Sequence, residues 1–159
     1  MRRIISARQA LASLLLVMTS AACGGGDKGT GPNDDGVFGT YTLARAAGQQ
    51  VPQAKVFEAN LGFGGLMGTY AQSGSFRISE NGTWAFSLHF QQIATAPGEP
   101  VSTIEYDVDD SGTYSMQNGT ITLDGSTVVT LVSGVLTYTV NYNSVPNVPP
   151  TTVAYEFEK

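Results

Sequence analysis

From residue 37 onward, apolar and polar side chains alternate; they do not recur at helical spacing. In TWAFSLHF, residues 83–90, Trp84, Phe86, Leu88 and Phe90 share one parity, and Thr83, Ala85, Ser87 and His89 share the other. A period of two puts successive side chains on opposite faces of an extended strand, so one face is built for a core and the other for water. The same pattern gives Phe76 and Ile78 in SGSFRIS, Tyr114 and Met116 in SGTYSM, and Ile121 and Leu123 in GTITL. Later it gives Leu136, Tyr138, Val140 and Tyr142 in VLTYTVNY, then Val153, Tyr155 and Phe157 in TVAYEF.

Short turn signals separate these runs: Glu80-Asn81-Gly82, Asp109-Asp110-Ser111-Gly112, Gln117-Asn118-Gly119, Asp124-Gly125 and Ser133-Gly134. Asn-Gly and Asp-Gly tolerate the positive φ angles of tight hairpins, so neighbouring strands are expected to pair antiparallel. The chain therefore reads as all-β, with about eight to ten strands in up-and-down order. A Gly-Thr-bulky triplet recurs at Gly39, Gly68, Gly82, Gly112 and Gly119. It is read as strand punctuation: glycine ends a turn, threonine faces water, and the bulky residue is the first to enter the core. Residues 58–68, EANLGFGGLMG, carry four glycines and are expected to form a loop folding over one end of the core as a lid or plug. Residues 142–151 contain three prolines, which cannot donate to a ladder, and are expected to form a loop before the last strand.

The first 22 residues stand apart. Arg2, Arg3 and Arg8 precede an apolar run over 10–18 and then small residues, the layout of an export signal too short to span a bilayer permanently. Ser20-Ala21-Ala22 before Cys23 fits an ordinary cleavage site, and it also resembles the lipobox of bacterial lipoproteins. Cys23 is the only cysteine, so no internal disulfide is available to it. A lone thiol at the cleavage point has a use as a lipid acceptor; the alternative is a secreted chain with a free thiol at its end. Gly24 after the cysteine resembles lipoproteins sent to an outer membrane. Residues 23–36 hold no large apolar side chain beyond the cysteine, and read as a lipid-attached flexible tether. Residues 37–159 are the length of one domain with a single core.

Without the export signal the chain has five basic and thirteen acidic side chains, a formal charge of −8. An acidic surface repels nucleic acid and anionic head groups, which argues against both as partners.

The domain opens VFGTYTLARAAGQQVP, where Gly39, Tyr41, Leu43, Gly48 and Pro52 resemble the start of the lipocalin-like domains of bacterial lipoproteins. SGSFRISENGTWAF and SGTYSMQNGTITL continue the likeness over most of residues 37–159. The resemblance implies an antiparallel up-and-down β-barrel; a β-sandwich is the alternative that periodicity alone leaves open.

Chemical motifs are sparse. Asp107, Asp109, Ser111 and Gly112 match the opening of a calcium loop, but the twelfth position is Asn118, where that loop needs a closing glutamate. No metal site and no cofactor are expected. His89 is the only histidine and lies opposite the apolar face of its strand, so it is read as solvated. Nothing local supplies a nucleophile with an oriented base, and Glu156 and Glu158 read as surface charge. The expectation is a chain that is not an enzyme.

Two functions then compete. In one, the barrel binds a small hydrophobic ligand against an inner set of Tyr41, Phe76, Trp84, Phe86, Phe90, Tyr114, Tyr138 and Tyr155. In the other, those side chains fill the barrel, and the protein is a structural or protein-interaction lipoprotein of the cell envelope.

Overall fold

The computed structural model describes residues 36–142 and 150–159. The export segment, Cys23, nearly all of the tether and residues 143–149 of the proline-rich segment lie outside the described residues. Ten strands are present: β1 (Gly39–Ala46), β2 (Gln49–Gln50), β3 (Ala54–Gly62), β4 (Gly65–Ile78), β5 (Thr83–Thr95), β6 (Ser102–Gln117), β7 (Thr120–Leu123), β8 (Thr127–Val132), β9 (Val135–Asn141) and β10 (Thr152–Glu158).

Neighbours in sequence pair antiparallel from β3 through β10, β10 returns to β1, and β1 pairs with the end of β4. The Gly39↔Ile78 to Thr42↔Ser75 register closes a ring of eight strands, β1 and β4–β10. A sandwich would leave two separate sheets, so this closure makes the domain a barrel. β2 adds a short hairpin on β1, and β3 lines the first half of β4.

Turn chemistry explains the order. Ala47-Gly48, Phe63-Gly64, Asn118-Gly119 and Ser133-Gly134 each have positive φ at both positions, the conformation that joins strands through two residues without splaying them. Phe63-Gly64 corrects the expectation for residues 58–68. They form the β3–β4 hairpin, and Phe63 stands fully exposed at its tip instead of folding over the core. Gly62 and Gly64 take the positive φ angles of the turn, and Gly65 and Gly68 continue as extended backbone in β4.

The second correction concerns Asp109-Asp110-Ser111-Gly112, which lies within the long strand β6 and makes no turn. Asp109 and Ser111 pair across to Ser87 and Ala85, so the extended backbone spreads the calcium-like oxygens along a strand and does not fold them round a centre. Of the recurrent triplets, those at Gly39, Gly82 and Gly119 open strands, whereas those at Gly68 and Gly112 lie inside β4 and β6.

Alternation holds along β5 from Trp84 to Phe90, with Trp84, Phe86, Leu88 and Phe90 all buried. In β4 it slips by one at a bulge between Ala71 and Ser73, so Thr69 and Ala71 face inward before it and Phe76 and Ile78 after it. A second bulge shifts β1 between Leu43 and Arg45. One end of the barrel is solid with rings. Phe76 stacks on Trp84 at 5.7 Å and meets Phe157 edge-on at 5.6 Å, and Trp84 stacks on Phe86 at 5.8 Å. Tyr41 closes this end, its hydroxyl donating to the Val37 carbonyl at 2.7 Å with the Lys159 ammonium over its ring at 5.3 Å.

Candidate functional site

Toward the other end the inner wall loses volume. Ala46, Ala54 and Ala71 are buried there, where the solid end has Tyr41, Phe76 and Ile78. What remains is a cavity of about 370 Å³. β5 contributes Phe86, Leu88, Phe90 and Gln92, and β6 contributes Tyr106 and Val108. Facing them are Tyr138 and Val140 of β9 with Tyr142 just beyond it, and Phe57 of β3 and Met67 of β4 complete the lining.

Strand lengths open this cavity sideways. β6 pairs with β7 only over Tyr114–Gln117, and β9 pairs with β8 only over Val135–Thr137. The short β7–β8 hairpin thus closes the ring at the solid end. Beyond it, among the described residues, the facing edges of β6 and β9 have no strand between them. Val108 shows the result: it shares the inward parity of its partner Leu88, yet it is 40% exposed where Leu88 is 2% exposed.

Polar groups in the cavity form two clusters. Thr69 is fully buried beside the cavity and accepts from the Gln92 amide at 3.3 Å. The Tyr142 and Tyr155 hydroxyls share a 2.6 Å hydrogen bond, and the Phe57 ring lies 5.4 Å from that of Tyr142. Burial raises the pKa of all four phenols, Tyr106, Tyr138, Tyr142 and Tyr155; the Asp110 carboxylate adds to the rise at Tyr138, and Tyr142 adds to it at Tyr155. These hydroxyls are therefore neutral at ordinary pH, able both to donate and to accept.

The expected inner residues divide between the two ends. Phe86, Phe90 and Tyr138 line the cavity, while Tyr155 stands behind Tyr142 as its hydrogen-bond partner. Tyr41, Phe76 and Trp84 belong to the solid end, and Tyr114 is partly buried with its hydroxyl donating to the Ser79 carbonyl at 2.9 Å. The inner set expected from sequence lacks Phe57, Met67, Gln92, Tyr106 and Val108, and also Leu88, Val140 and Tyr142, although alternation puts these last three on apolar faces. Parity could have found Gln92, which continues the Trp84–Phe90 series. Tyr106 and Val108 were hidden by the turn assigned to the residues after them. Trp84 stacks directly on the cavity residue Phe86, so it senses the cavity through one intervening ring.

His89 is on the outer face, its Nδ1 2.8 Å from an Asp107 carboxylate oxygen and its Nε2 4.0 Å from Glu105. It is thus paired across strands and not merely solvated, and it faces away from the cavity. A wider outer depression of about 550 Å³ is bordered by Ser75, Arg77, Ser87, Asp109 and Ser111. Its hydrophilic rim is open to water and gives a ligand little apolar surface to bury. Among the described residues no group of three or more His, Cys, Asp or Glu side chains is placed to hold a metal ion. Comparison with family models, with curated proteins and with solved structures finds no match to this chain.

Proposed function

We propose that the protein is a membrane-anchored lipoprotein whose lipocalin-like barrel binds a small hydrophobic molecule. The observation that carries this reading is the lateral cavity: about 370 Å³, walled by aromatic and aliphatic side chains with a few convergent hydroxyls. That size and chemistry suit a small ligand, since such pockets run from about 300 to 1,000 Å³ and pair apolar walls with few polar groups. Attachment to an envelope membrane is supported by the signal-like segment and Cys23, and the outer membrane by the likeness of Gly24. Binding is preferred to catalysis because the one histidine points outward, away from the cavity.

The neutral fluorophore N-phenyl-1-naphthylamine tests the reading. It should bind the mature domain saturably, and Val140→Trp, which puts an indole into the cavity, should remove at least about nine-tenths of that binding with the circular dichroism unchanged. Saturable binding untouched by Val140→Trp would place the ligand elsewhere. In the parent organism the chain should fractionate with membranes and carry acyl mass on Cys23, and a soluble chain with an unmodified thiol would remove the anchor from the proposal.

A second reading, a protein-interaction lipoprotein, is favoured by exposed apolar residues on strand surfaces, Ile104, Val128 and Val132 among them. Crosslinking in intact cells that recovers one partner, with no probe bound by the domain, would select it.

A further inference from the structure

We infer that the cavity selects uncharged amphiphiles and rejects organic anions such as fatty-acid carboxylates; this rests on the binding role proposed above. None of its lining side chains carries a formal charge, and the polar groups within reach are the Gln92 amide and neutral phenols. The four basic residues described are all engaged elsewhere or directed outward. Arg45 lies 3.8 Å from Glu156, and Lys55 lies 3.2 Å from Glu58. Lys159 donates to the Gly36 carbonyl at 2.8 Å, and Arg77 borders the outer depression.

Among the described residues, a carboxylate on the cavity side of β6 brings a charge of the wrong sign for an anion. Asp110 pairs with Phe86 across β5 and β6, on the inward parity, and its field reaches the Tyr138 phenol. A carboxylate entering here would be desolvated with no cation to meet it and a like charge close by, so it would have to bind protonated. A hydroxyl or amide head group loses nothing of the kind, because the Tyr106, Tyr138 and Gln92 side chains offer both donors and acceptors. A ligand enters through the opening between β6 and β9, with its head group held inside at these side chains and its chain against Leu88 and Phe90.

Displacement of N-phenyl-1-naphthylamine from the mature domain by decanol and by decanoate tests this. At pH 8 decanol should displace the probe at least about tenfold more effectively. The gap should narrow toward pH 5 as decanoate approaches an ordinary carboxyl pKa of about 4 to 5. Gln92→Arg, which brings a cation into the cavity, should raise displacement by decanoate relative to decanol. If that variant fails to fold, the pH comparison on the native chain decides. Equal displacement by both compounds at pH 8, or a preference for decanoate, overturns the selectivity and leaves the binding role standing. Absence of any saturable probe binding overturns both.

Discussion

Two glycines inside strands illustrate how single residues set this barrel. Gly74 faces Leu88, and a Cβ there would come within 2.7 Å of both the Leu88 side chain and the Ser87 carbonyl oxygen. Gly112 is not needed for an unusual backbone angle; it makes room for Asp124. The Asp124 carboxylate accepts from the Thr113 amide at 2.9 Å, and a Cβ on residue 112 would strike that carboxylate. The bond ties the β7–β8 turn to β6 where the short hairpin closes the ring. Gly112→Ala should therefore cost about 1 to 3 kcal/mol in urea unfolding. Asp124→Ala, losing only the hydrogen bond, should cost about 1 kcal/mol. In the Asp124→Ala background the alanine at 112 should add little, since the carboxylate it would displace is gone. Additive costs in that double-mutant cycle would show that the two positions do not act through one contact.

At the level of strands, what was legible in the sequence followed from period two and from turn residues. β5, β7, β9 and β10 keep strict parity, and the hairpins at Asn118-Gly119 and Ser133-Gly134 carry their own signal. Bulges were not legible, because one extra residue shifts parity without any compositional mark: Gln72 sits among Gln, Ser and Gly residues that fit either face. β6 was misread because a strand wet on both faces has the composition of a turn, and the cavity went unseen with it. The hollow end depends on β6 having 16 residues while β7 has four, a mismatch that no single segment reveals. The bulge makes a direct expectation possible. Deleting Gln72 restores regular alternation in β4, with Ala71 inward, Ser73 outward and Gly74 inward, so the variant should fold with a loss of about 1 to 3 kcal/mol. Deleting Ser87 from the bulge-free β5 reverses the facing of every residue beyond it, turning Leu88 and Phe90 outward, and should abolish cooperative thermal unfolding. Similar melting curves for the two deletions would refute the assigned register.

For the molecule as a whole, the two ends differ in packing: the Phe76–Trp84–Phe157 cluster fills one, and the phenol-lined half holds the cavity. That half should also make stability sensitive to alkali. Tyr106, Tyr138, Tyr142 and Tyr155 are held above the ordinary phenol value by burial, and Tyr41 at the solid end is raised for the same reason. Below pH of about 10, phenols are protonated in both folded and unfolded chains and contribute no pH dependence. Above it, the unfolded chain releases protons that the folded barrel retains, so the unfolded state binds fewer protons and stability falls as pH rises. Near-ultraviolet circular dichroism and phenolate absorbance should therefore change together in one step above pH of about 10, and phenolate forming from these residues with the dichroism intact would contradict their burial. A neutral ligand that binds only the folded chain adds stability in proportion to the logarithm of its concentration. Saturating decanol should shift the alkaline transition upward, whereas decanoate, fully ionised at that pH, should leave it in place, so one titration couples the buried phenols to the charge selectivity of the cavity.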